Sequence, residues 1–73
     1  MDFMNLKQAN QGEEYIINRV ETDDKELNAF LFSLGCYSGE TITVIRKISG
    51  GLIVAIKNGR YTIDNQLAEA IIV

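Results

Sequence analysis

The stretch "FLFSLGCYSGETITVI", residues 30 to 45, changes its period halfway along. Up to Leu34 the apolar residues recur at helical spacing, and from Glu40 they alternate as in a strand, with Gly35 and Gly39 between the two patterns. The chain contains no proline, so its element boundaries have to be read from glycine, from Asn and Asp, and from such changes of period. This conversion therefore fixes a helix, a strand and a tight connection between them.

On the helical side, "TDDKELNAFLFSLG" offers Asp23 as N-cap with Glu26 three residues on, the spacing of a capping box. Leu27, Phe30, Leu31 and Leu34 fall on one side of a 3.6-period helix, and Gly35 supplies the left-handed residue that ends it. Phe32 lies well away from that stripe and is expected to be partly exposed. Single exposed apolar residues are common on protein surfaces; contact with a partner or a second copy is the alternative use.

On the strand side, "ETITVIRKI" places Ile42, Val44 and Ile48 on one face and Thr41 and Thr43 on the other. "SGG" at 49 to 51 turns the chain into "LIVAIK", and Asn58-Gly59 is expected at the centre of a type I′ turn, with "RYTID" returning antiparallel. Upstream, after a lead containing Phe3, Met4 and Leu6, a turn at Gly12 opens a first strand. Its alternation sets Ile16 and Val20 against Tyr15, Ile17 and Arg19. "NQLAEA" reads as a single helical turn with Asn65 near its cap, and "AIIV" as a short closing strand. An open sheet this small would leave exposed edges, and curling pairs most of them. The expected fold is mainly β, a small SH3-like barrel of about five antiparallel strands with one inserted α-helix.

Seventy-three residues make one domain, 1 to 73, with a core small enough that self-association is a reasonable way to add burial. Ten acidic residues against seven basic ones argue against a nucleic-acid partner. One cysteine cannot form an internal disulfide, and no apolar run is long enough for membrane insertion or a secretory leader, so a cytoplasmic location is expected. With no histidine and one thiol, the familiar nucleophile-imidazole and zinc constellations cannot be assembled, and no enzymatic activity, cofactor or metal site is expected. The acidic group Glu21, Asp23, Asp24 and Glu26 is not read as a cation site, since two of its members have a capping task. Arg46 with Lys47, and Lys57 with Arg60, read as solvated strand ends.

What remains for function is the rim "LGCYSG" beside the helix. Phe32, Leu34, Gly35, Tyr37, Ser38 and Gly39 are the partner-binding candidates, with Tyr37 a rigid aromatic anchor on a shallow, partly apolar lip.

The same residues carry a resemblance. A helix ending in Leu-Gly, a spacer, a second glycine and a strand of the form Thr-x-Ile/Val-x-Val, matched at Leu31, Leu34, Gly35, Gly39, Thr41 and Val44, resembles the FeoA family of bacterial ferrous-iron uptake. Leu6 with Gly12, and the ending at Glu69, Ala70 and Val73, extend the likeness over nearly the whole chain. The chain departs from the family's usual pattern in having Asn28, Ala29 and Phe30 where basic residues are usual, Ser38 where a proline is usual, and glycines in the turn after the second strand. The position of Cys36 is usually aliphatic in the family, so the resemblance implies that Cys36 acts as a small hydrophobe beneath the helix end. The resemblance implies a small non-enzymatic cytosolic protein that associates with the cytoplasmic GTPase domain of the membrane transporter FeoB. Metal-dependent repressors carry a C-terminal domain of similar kind, so a regulatory SH3-like domain is the alternative. A chain that opens at Met1 and holds no helix-turn-helix places that reading second.

Overall fold

The computed structural model describes residues 3 to 73. Along the chain come a single 3-10 turn (Leu6–Gln8), β1 (Glu14–Ile16), β2 (Arg19–Val20), α1 (Lys25–Leu34), β3 (Thr41–Ile48), β4 (Gly51–Ile56), β5 (Gly59–Asp64), α2 (Asn65–Ala70) and β6 (Ile71–Ile72). All strand pairs are antiparallel, in a four-stranded sheet ordered β1-β3-β4-β5 and a two-stranded sheet of β2 with β6. The two sheets face a common core but are not joined into one closed ladder, so the expected barrel is an open one.

Alternation builds that core. Ile42 and Val44 on β3, and Leu52, Val54 and Ile56 on β4, point to one face and are buried together with Ile63. Leu6, Ile17, Leu31 and Ile71 close over them from the 3-10 turn, the sheet crossing, α1 and β6, and small residues such as Ala68 let α2 approach closely. The 3-10 turn, which the sequence pattern does not announce, is what buries Leu6.

The expected first strand is two strands. Its alternation holds through Ile17, with Ile16 exposed and Ile17 buried, and then the chain changes sheets at Asn18. The Ile17 amide donates to the Glu40 carbonyl (2.8 Å) and the Ile17 carbonyl accepts from the Gly39 amide (2.8 Å), so this residue is tied to a loop instead of a strand. From Asn18 onward the backbone pairs with the C-terminal segment, beginning with Asn18 N–H to the Ile72 carbonyl (2.7 Å).

The helix begins one residue later than its spacing suggests. Asp24, not Asp23, is the N-cap; its Oδ1 accepts from the amides of Glu26 (3.0 Å) and Leu27 (3.1 Å). The Asp24 amide is taken by Thr22 Oγ1 (3.1 Å), the task that a capping box would give to Glu26. Leu31 is the only fully buried residue of α1, Leu27 and Leu34 are half-buried, and Phe30 is 49% exposed against the expectation of an inward stripe. Phe30 sits on the margin of the stripe, outside the small core that Leu31 enters.

Two further expectations shift by one residue. Between Val44 and Arg46 the β3–β4 register slips at Ile45, a bulge that turns the rest of β3 over, so Ile48 is partly exposed instead of joining Ile42 and Val44. The β4–β5 turn is centred on Lys57-Asn58, because Ile56 pairs with Gly59 and Lys57 takes the positive φ (+53°). Gly59 serves a different need: a Cβ there would clash with the Tyr61 hydroxyl and ring, so only glycine lets that ring fold back against the strand. At the far end Asp64 caps α2 by accepting from the Leu67 amide (2.8 Å), with Asn65 as its first helical residue.

Candidate functional site

Gly35 ends α1 in the left-handed region (φ +104°), and its amide reaches back to the Leu31 and Phe32 carbonyls. The Cys36 amide also donates to the Leu31 carbonyl (3.0 Å), which turns the chain sharply and drops the Cys36 side chain into the core. The Tyr37 amide then donates to the Gly35 carbonyl (3.1 Å) and the Glu40 amide to the Tyr37 carbonyl (3.1 Å). This short, internally bonded rim leaves the Tyr37 side chain no route inward, and it leans on Phe32 one helical turn back, ring centroids 5.2 Å apart and planes tilted by 44°.

Opposite the rim stands the β4–β5 turn. Lys57 reaches across from it, its Nζ 3.1 Å from Glu40 Oε1 and 5.2 Å from the centre of the Tyr37 ring. The Tyr37 side chain first, and the Glu40 carboxylate after it, hold the Lys57 ammonium above its ordinary pKa, so it remains a cation across the physiological range. Rim and turn enclose an open groove of about 890 Å³. One wall is Phe32, Leu34, Gly35, Tyr37 and Ser38; the other is Ile56, Lys57, Asn58 and Tyr61, with Gly59 at the turn.

Five of the six residues singled out from the sequence thus meet on one wall. Gly39 does not line the groove; it is an anchor point whose amide ties the rim to the Ile17 carbonyl (2.8 Å). The second wall was missed. Its signal was present in part, since Tyr61 shares its strand face with Ile63, but placing the turn at Asn58-Gly59 and reading Lys57 as a solvated strand end hid the approach of this hairpin to the helix end.

The groove brings together aromatic rings, a tethered cation and hydroxyls. Cys36 lies behind it, 2% exposed, and burial pushes its thiol up to about 11, which disfavours the thiolate that nucleophiles and metal ligands require. Among the described residues no group of three or more His, Cys, Asp and Glu side chains converges as a metal site. The acidic residues before α1 have separate partners, Glu21 with Arg19 (2.7 Å) and Asp24 with the helix amides. No helix of the described residues is long and apolar enough to cross a membrane.

The FeoA domain model matches residues 4 to 73. Among solved structures, the chain is similar to an iron uptake regulatory protein, FeoA, with 23% identity, a TM-score of 0.86, and coverage of 100% of this chain and 96% of that one. It is also similar to Stenotrophomonas maltophilia FeoA in complex with zinc, described as a prokaryotic SH3 domain protein (18% identity, TM-score 0.83, 93% of this chain and 86% of that one). A manganese-dependent transcriptional repressor bound to manganese gives a TM-score of 0.89 at 21% identity, with all of this chain covering 36% of the repressor. At these identities the likenesses establish the SH3-like fold. No curated protein sequence matches the chain.

Proposed function

The chain belongs to the FeoA domain family, and on that premise we propose that it is a non-enzymatic, cytoplasmic accessory protein of bacterial ferrous-iron uptake that docks on the GTPase domain of a FeoB-type membrane transporter and modulates uptake. The observation that carries this reading is the family match over residues 4 to 73. The groove between the helix end and the β4–β5 turn supplies the place. Tyr37 and Phe32 give a preorganised aromatic surface, Lys57 a cation already oriented by Glu40, and the short rim a backbone with few soft joints. Transport and nucleotide hydrolysis belong to the partner.

The repressor likeness supports a second reading, a regulatory barrel acting on a DNA-binding neighbour, because the same fold accounts for about a third of such a protein. The two readings separate in a binding experiment with the purified GTPase domain of a FeoB-type transporter. Saturable binding is expected, weakened at least about tenfold by Tyr37→Ala, a loss in the range of an interface anchor. Leu34→Ala, at the foot of the same wall, is expected to weaken it too. Affinity unchanged in both variants would remove the groove from the reading, and absence of any binding would remove the partner.

A further inference from the structure

β5 ends its sheet: it pairs with β4, and among the described residues no strand runs along its other side. Which backbone groups face that open side follows from the hairpin. A two-residue turn closes on a hydrogen-bonded pair, here Ile56 with Gly59, and bonded and non-bonded pairs alternate from there. Gly59, Tyr61 and Ile63 therefore direct their amides and carbonyls toward β4, and Arg60, Thr62 and Asp64 direct theirs outward. The other hairpin agrees. Gly51 closes the β3–β4 turn against Ile48 and so faces β3, which leaves Asp64, its neighbour across the β4–β5 ladder, turned outward.

The side chains of Arg60, Thr62 and Asp64 are all exposed. Neither Arg60 nor Asp64 belongs to an ion pair among the described residues, and Asp64 uses one carboxylate oxygen to cap α2, leaving the other available. An antiparallel strand can join this edge to itself only in registers where outward residues meet outward residues. Centred on Thr62, self-pairing sets Thr62 against Thr62 of the second copy and Arg60 against Asp64, and symmetry repeats the charge pair on the other side. Registers centred on Tyr61 or Ile63 place Arg60 against Thr62, or Thr62 against Asp64, and form no charge pair.

We propose that β5 is a self-recognition edge through which two copies of this chain join about a twofold axis at Thr62, merging their four-stranded sheets into one. The Thr62 amide of each copy donates to the Thr62 carbonyl of the other, and each Asp64 amide donates to the opposite Arg60 carbonyl. The Asp64 carbonyl opens α2 and stays with that helix. The same register sets Asn65 of the second copy opposite Gly59, so the start of its α2 borders the groove. A contact of this length falls short of the roughly 1,200–2,000 Å² of stable complexes, so the dimer is reversible and forms at high concentration.

Analytical ultracentrifugation of the full chain from about 10 μM to about 1 mM tests this. The wild type is expected to pass from monomer to dimer. Thr62→Pro removes the central donor, and proline is tolerated there because that amide points away from β4, so a folded monomer is expected. Arg60→Glu sets a carboxylate against Asp64 and is expected to weaken the dimer at least about tenfold; should Thr62→Pro fail to fold, this variant decides alone. A wild type monomeric throughout the range, or a dimer that neither variant weakens, overturns the proposal. Neither Arg60 nor Thr62 lines the groove, so either result leaves the transporter reading to its own test.

Discussion

At the scale of single residues, the rim depends on Gly35. Its φ of +104° is costly for any residue with a Cβ, and a Cβ there would meet Ile56 Cγ2 at 3.0 Å and Lys57 Cε at 3.2 Å. Gly35→Ala is expected to lower unfolding stability by about 1–2 kcal/mol in a urea titration. Leu31, the one α1 side chain sealed in the core, is expected to cost about 2–5 kcal/mol when cut to alanine. Cys36 gives a pH signature. Its unfolded thiol ionises near 9.0 and its folded thiol at about 11, so between those values the folded chain keeps a proton that the unfolded chain has lost. Stability is therefore flat in this respect below about pH 9 and falls as pH rises through that window, and Cys36→Ala is expected to remove that part of the decline. At this scale much was legible: the Gly35 cap and the exposure of Phe32 follow from local spacing, and the burial of Cys36 from the family's usual aliphatic residue there. The exposure of Phe30 did not, because it depends on how much sheet lies beneath the helix.

At the scale of elements, the split of the first strand and the bulge in β3 come from contacts distant in sequence. A period-2 pattern cannot show that Ile17 will be held by Gly39 and Glu40, and that tie is what splits one strand into two. Nor does "TITVIRKI" reveal the bulge at Ile45, which becomes visible only against β4. The cap is a finer case, since Asp23 and Asp24 are equally good caps by type, and Thr22 decides by taking the Asp24 amide. Asp24→Ala is accordingly expected to cost about 1 kcal/mol of stability and Asp23→Ala to stay within about 0.5 kcal/mol, as read from chemical denaturation of the two variants. One wall of the groove was legible because helix end and rim are contiguous in sequence. The other belongs to a hairpin whose turn was placed one residue late.

At the scale of the whole molecule, the chain is an open SH3-like barrel whose two sheets share a core without a closed ladder, and the helix contributes Leu31 to that core. The groove forms where that helix stops and the β4–β5 turn rises, so its shape depends on the fold as a unit and not on any one element. This groove is the surface proposed to meet the transporter's GTPase domain. Titrating that domain into isotopically labelled protein and following backbone amide resonances tests the claim most directly. The largest shifts are predicted at Phe32, Leu34, Tyr37, Lys57 and Tyr61, on both walls at once. Shifts confined to β2, β6 and the 3-10 turn, or none at saturating partner, would contradict it.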